Sequence, residues 1–230
     1  LGLVGSEMCI RDRSRSWDWY FHDFPITPVD IGASTHAHFD HDALHRLDAH
    51  VLLDRLIGMY QFGDMTIYGL ADKHAVDSSC AVYDFKKIHD KFHGTSIEPP
   101  DNPRSWDHCL IVVETGGMRI VHWGDNRHNP PNDIWEALGH IDIALLPIDG
   151  SQHVMGHVHT QAIIDRLKPR VIVPHHYYIW DVLQRQSTLL PAEEWVAGRD
   201  SVERIGGPLK TYTMRDLDRL DGAVHYFGDN

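Results

Sequence analysis

A short apolar run, VDIGAST at residues 29–35, breaks directly into HAHFDH, so His36, His38, Asp40 and His41 follow one another in the pattern H-x-H-x-D-H. A buried strand ending in such a loop needs a sheet whose carboxyl edge opens on a crevice, which is the arrangement of layered α/β proteins. In extended chain, residues two apart face the same way, so His36 and His38 suit one ion while the turn presents Asp40 and His41 to another. Independent chance places this pattern somewhere in such a chain on the order of one time in a hundred.

Composition points the same way. The 230 residues contain 19 His, more than packing or solvation calls for, which makes metal or proton chemistry the leading idea. The formal charge of -12 opposes a broad footprint on nucleic acid and favours a small-molecule substrate. Cys9, Cys80 and Cys109 lie far apart, without the spacing of a thiolate zinc site or a disulfide framework. No apolar stretch reaches the roughly 18 residues of a membrane span. The expectation is a soluble, cytoplasmic, single-domain protein, with a homo-oligomer left open.

Elsewhere, strands and helices alternate. The spacing of Leu44 and Leu47 in DALHRLDAH suits a brief helix, DMTIYGL alternates as a strand, and CLIVVET, Gly116-Gly117 and MRIVHW read as a hairpin. Residues 71–107 read as a long loop or insertion. NDIWEALGH predicts a helix, IDIALLPI a buried strand, TQAIIDRLKP a helix stopped by Pro169, and RVIVP a strand. In the tail, AEEWVAGRDSVERI predicts a helix, and KTYTM and AVHYF predict strands.

These motifs resemble the metallo-β-lactamase superfamily, in particular the branch of ascorbate-phosphate lactonases and N-acylphosphatidylethanolamine phospholipases. STHAHFDH is similar to the family's histidine motif, IVHWGDN to its strand ending in Gly-Asp, and ALLPIDG with LKPRVIVPHHY to the branch's closing segments, in order over about residues 29–180. The resemblance implies a four-layer αββα sandwich with two divalent metal ions, Zn(II) first, with Mn(II) or Fe(II) as alternatives. It implies that Asp125 bridges both ions and that His176 completes the second site, His175 being the alternative. A carboxylate after an apolar strand is physically suited to bridge two cations; a plain turn Asp after Gly124 is the competing reading. For the third ligand of the first ion, His74 and His108 compete. His74 emerges after DMTIYGL and a short turn, like the other ligands, whereas His108 directly precedes CLIVVET, at the beginning of that strand. His153, His157 and His159 form a cluster that can line the pocket or cap a helix. His122 reads as structural, His45 and His50 as a solvated helix face, and His89 and His93 as loop residues.

The expected chemistry is hydrolysis of a small ester, lactone or phosphodiester by a metal-bridged hydroxide, with Asp40 and Asp125 as the catalytic carboxylates. Three rivals remain: a nuclease of the same fold, a non-catalytic metal-binding protein, and a diiron redox protein, which usually has Glu where His38 stands. Leu3–Arg13 resembles the conceptual translation of a transposon-type sequencing adapter. Residues 1–13 are therefore expected to be non-native, and residues 14–230 to form one domain whose opening strands are absent or shortened.

Overall fold

A computed structural model describes residues 26–36, 44, 47–54, 56–75, 107–150, 154–178 and 189–228. Strands β1 (Thr27–Ser34) and β2 (Leu47–Asp54) pair in parallel, with Ile31 opposite Val51 and Ser34 opposite Asp54. β3 (Gly58–Phe62), β4 (Met65–Asp72), β5 (His108–Thr115) and β6 (Met118–His122) form an antiparallel meander. The chain then alternates helix and strand: α1 (Asn132–Leu138), β7 (Ile143–Pro147), α2 (His157–Leu167) and β8 (Val171–His175). It closes with α3 (Ala192–Ala197), β9 (Val202–Arg204), α4 (Met214–Leu217) and β10 (Ala223–Tyr226). The eight strands from β3 onward make one mixed sheet in the order β3-β4-β5-β6-β7-β8-β10-β9.

Alternation decides which face of this sheet meets which layer. Leu110, Val112, Val121, Leu146 and Ile172 point to one face, where they pack with Leu138 of α1, Ile163 and Leu167 of α2, and Trp195 and Val196 of α3. Ile67, Cys109, Ile111 and Val113 point to the other, where Leu53 and Leu56 cover them with Ile31, Ala33 and Val51 packed alongside. Further along that face, Leu217 of α4 joins Ile143, Leu145 and Val171. The order is helices, large sheet, small sheet: an α/β sandwich, with three of its four expected layers formed by the described residues. No helix among them is long and apolar enough to cross a membrane.

Several sequence expectations need correction. The helix expected over DALHRLDAH is not formed at its end, because Leu47–His50 open β2. There Ala49, Val51 and Leu53 alternate with exposed Asp48, His50, Leu52 and Asp54, and burial of that face against the large sheet outweighs a two-point helical spacing. The loop expected over residues 71–107 does not include Ala71 and Asp72, which finish β4, and residues 76–106 lie outside the described residues. β3, with exposed Met59 and Tyr60 at the sheet edge, carries little core pattern and was not anticipated. AEEWVAGRDSVERI divides into α3 and β9 at Gly198, and KTYTM is not a strand: Thr213 caps α4 in a capping box with Asp216. The helix before Pro169 begins at His157 and ends at Leu167, with Lys168 left-handed at its cap. The hairpin forms as expected, both turn glycines having positive φ. Residues 1–25 lie outside the described residues.

Candidate metal centre

Four chain segments bring their chemistry to one edge of the fold. His36 follows β1 by two residues and His74 follows β4 by two. Asp125 follows β6 by three, and His176 immediately follows β8. Cys109 N–H donates to Thr35 O at 2.9 Å, which ties the end of β1 to the start of β5 and sets His36 beside the large sheet. Gly124 makes the bend before Asp125 with φ +56; a Cβ there would lie 2.8 Å from His108 Nε2 and 3.1 Å from Thr35 Oγ1.

The donor atoms converge on one carboxylate oxygen. His74 Nε2 lies 3.4 Å from Asp125 Oδ2, and the Nε2 atoms of His36 and His176 each lie 3.8 Å from it. Donor atoms of His36, His74 and Asp125 all lie within 4.8 Å of one another. His36, Asp125 and His176 are buried. Ligands about 2.0–2.1 Å from a tetrahedral ion stand roughly 3.4 Å apart, so the donor set fits a metal ion.

The imidazoles are also held in a usable orientation. His74 Nδ1 is 3.2 Å from Ala75 O, a carbonyl that can only accept, so Nδ1 carries the proton and Nε2 offers its lone pair. His36 Nδ1 meets Thr35 Oγ1 at 2.9 Å, again turning Nε2 toward Asp125. His176 Nδ1 lies 3.8 Å from Oδ1 of Asp149, a fully buried carboxylate that accepts from the amides of Val154 and Met155. Asp149 was missed as an individual site residue, although it lies inside the quoted ALLPIDG segment, because nothing local links it to His176.

The competing candidates are placed differently. His108 Nε2 accepts the backbone N–H of Asp125 at 3.1 Å. A backbone amide only donates, so that lone pair is committed to holding the bend. Its ring centre nevertheless stands 5.0 Å from that of His36 and 6.1 Å from that of His74. His175, the last residue of β8, stacks on His122 at 5.0 Å, and His176, with positive φ, places its Nε2 3.8 Å from Asp125 Oδ2. His157 Nε2 reaches Ile148 O at 3.2 Å and packs over Gly150, seating the start of α2. His159 stacks on His128 at 3.8 Å. His38, Asp40, His41 and His153 lie outside the described residues. Cys109 is no nucleophile: burial and the nearby Asp54 carboxylate push its thiol up to about 12.

A layered α/β fold with imidazole and carboxylate donors at one strand edge defines a protein able to hold a metal ion. The model of the beta-lactamase superfamily domain matches residues 20–176, and the chain belongs to the metallo-β-lactamase superfamily. A UPF0173 metal-dependent hydrolase of Pelotomaculum thermopropionicum is 26% identical over 172 residues, covering 72% of each chain. Another, from Thermococcus onnurineus, is 40% identical over 73 residues, covering 31% of this chain and 32% of that one. Among solved structures, a candidate Zn-dependent hydrolase of the superfamily from Thermotoga maritima is 21% identical with a TM-score of 0.62, covering 90% of this chain and 86% of that one.

Proposed function

We propose that the chain hydrolyses a small ester, lactone or phosphodiester at a centre holding two divalent ions, zinc in the first instance. That it is a metal-dependent hydrolase of the metallo-β-lactamase superfamily rests on the family match and the relatives. The finer reading rests on one observation: the Nε2 atoms of His36, His74 and His176 close on the same oxygen of Asp125 at 3.4–3.8 Å. His36, His38 and His74 are assigned to one ion, Asp40, His41 and His176 to the other, and Asp125 to both. His38, Asp40 and His41 enter on the sequence pattern alone. The commitment of His108 Nε2 to the Asp125 amide supports His74 as the third ligand of the first ion.

When bound, the ions lower the pKa of water toward neutrality and polarise the substrate's carbonyl or phosphoryl oxygen. Asp125 supplies the negative charge that lets cationic centres sit in a buried pocket. Ala75 O keeps His74 in the tautomer with Nε2 free of a proton, and Thr35 Oγ1 holds the His36 ring through Nδ1 with Nε2 directed at Asp125. Asp40 is assigned to orient the attacking water and take its proton. The resemblance to lactonases and phospholipases supports the substrate class, and the charge of -12 weighs against a nucleic-acid substrate.

Elemental analysis of the chain purified without chelator is expected to give close to two transition-metal ions, and a panel of esters, lactones and phosphodiesters to reveal the preferred class. Asp125→Ala is expected to abolish turnover and weaken both ions. Folded protein without metal overturns the mechanism, and preference for single-stranded RNA in the same panel makes the chain a nuclease.

A further inference from the structure

Behind the donor atoms, an ion pair between a buried carboxylate and a partly exposed guanidinium joins the two arms that carry His74 and Asp125. Asp72, the last residue of β4, is 2% exposed. Its carboxylate accepts from Arg127 Nε at 2.9 and 3.2 Å, from Arg127 Nη2 at 2.5 Å, and from Asn126 Nδ2 at 2.8 Å. Asp72 precedes His74 by two residues, and Asn126 and Arg127 immediately follow Asp125. Main-chain bonds close the same seam: Ala75 N–H donates to Asp125 O at 2.6 Å, Arg127 N–H donates to Lys73 O at 3.1 Å, and His74 pairs with Asn126 as an isolated bridge. The outer side of the bend is pinned by Trp123, whose indole N–H donates to Asn126 O at 3.1 Å.

Such a pair is a poor source of net stability, because desolvating the Asp72 carboxylate offsets much of an attraction that solvent screens at Arg127. Its geometry is better suited to fixing direction. The planar guanidinium matches a carboxylate in one orientation, and here that orientation sets the spacing of two chain segments 55 residues apart in sequence. Each segment ends in a donor of the cluster. We propose that Asp72, acting through Arg127 and Asn126, is a positioning residue that holds His74 Nε2 and Asp125 Oδ2 at the separation a shared ion requires, before the ion arrives. This rests on the metal reading above. It assigns Asp72 and Arg127 no contact with metal or substrate.

The test uses Asp72→Asn, which keeps the shape and loses the charge, together with Arg127→Met, Arg127→Lys and the double variant Asp72→Asn/Arg127→Met. Two quantities are measured: Zn(II) affinity by competition with a chromophoric chelator, and hydrogen exchange of the Ala75 and Arg127 amides in metal-free protein. Each of Asp72→Asn and Arg127→Met is expected to weaken Zn(II) about 10- to 100-fold and to speed exchange at both amides. The double variant is expected to bind no more weakly than the worse single one, since both break one clamp. Arg127→Lys, keeping the charge without the fork, is expected to recover part of the loss. If Asp72→Asn does not fold, the partly exposed Arg127 supplies the same comparison. A merely structural ion pair would lower the melting temperature and leave Zn(II) affinity within about twofold of the parent; that result, or losses that multiply in the double variant, overturns the proposal. Failure of the parent chain to bind Zn(II) overturns the metal reading instead. The amides then decide the clamp: unchanged exchange in Asp72→Asn overturns it, and faster exchange at both supports it.

Discussion

Gly124→Ala separates backbone strain from crowding at the centre. Gly124 has φ +56, and an added Cβ meets His108 Nε2 at 2.8 Å, His108 Cε1 at 3.0 Å and Thr35 Oγ1 at 3.1 Å. The left-handed conformation alone costs an L-residue roughly 1–2 kcal/mol, and forcing a methyl into filled space adds roughly 1–3 kcal/mol. The total of about 2–5 kcal/mol corresponds to a fall in Tm of about 4–20 °C for a domain of this size. The crowding also has a direction. His108 holds the Asp125 amide and Thr35 holds His36 Nδ1, so moving both disturbs two donors together. Gly63→Ala is the control: φ there is +60, and nothing lies within 4 Å of the added Cβ. Thermal unfolding by circular dichroism, with and without chelator, is expected to show a loss of about 1–2 kcal/mol for Gly63→Ala with metal affinity intact. Gly124→Ala is expected to lose more and to bind metal more weakly. Equal losses in the two variants, with metal binding unchanged in both, would refute the crowding argument.

His74→Ala is expected to lose metal from one site, whereas His108→Ala keeps the stoichiometry and loses about 1–3 kcal/mol of stability, because the buried Asp125 N–H is left unpaired; elemental analysis of both variants checks this, and the reverse pattern makes His108 the ligand. His225 is buried, receives Tyr212 at 2.8 Å on Nδ1, and has Nε2 3.4 Å from Glu203. Burial lowers its pKa below the ordinary 6.5, partly opposed by Glu203, so as pH falls through that value the unfolded chain takes up a proton that the folded chain resists. Stability from this group is therefore complete above the unfolded pKa and declines below it until the folded form also protonates. Urea unfolding is expected to show a flatter decline between about pH 7 and pH 5 for His225→Gln than for the parent; equal slopes would show that His225 does not contribute.

What the sequence made legible was local. The strand running into His36, the glycine hairpin at 116–117 and the helix closed ahead of Pro169 each depend on residues within a few positions of one another, where period and turn chemistry act directly. Of the misread elements, one had its local pattern outvoted from a distance and another carried a local capping signal three residues long that the strand reading overrode. Leu47 to Asp54 extends because a face of Val51 and Leu53 is buried against β4 and β5, and Thr213 starts a turn of helix because Asp216 answers it. The site divides in the same way. Asp125 and the histidine pair at 175–176 were visible as candidates at strand ends, but two adjacent histidines at a strand end cannot be ranked by spacing. Their difference arises where β8 stops: His175 still obeys the pleat and stacks on His122, while the positive φ at His176 breaks it and swings the ring toward Asp125. Asp72 carried no signal, and Asp149 lay within the ALLPIDG segment without anything local to mark it individually. A lone buried carboxylate acquires meaning only from the partner that neutralises or faces it, and for Asp72 that partner is Arg127, across the whole span from β4 to the loop after β6.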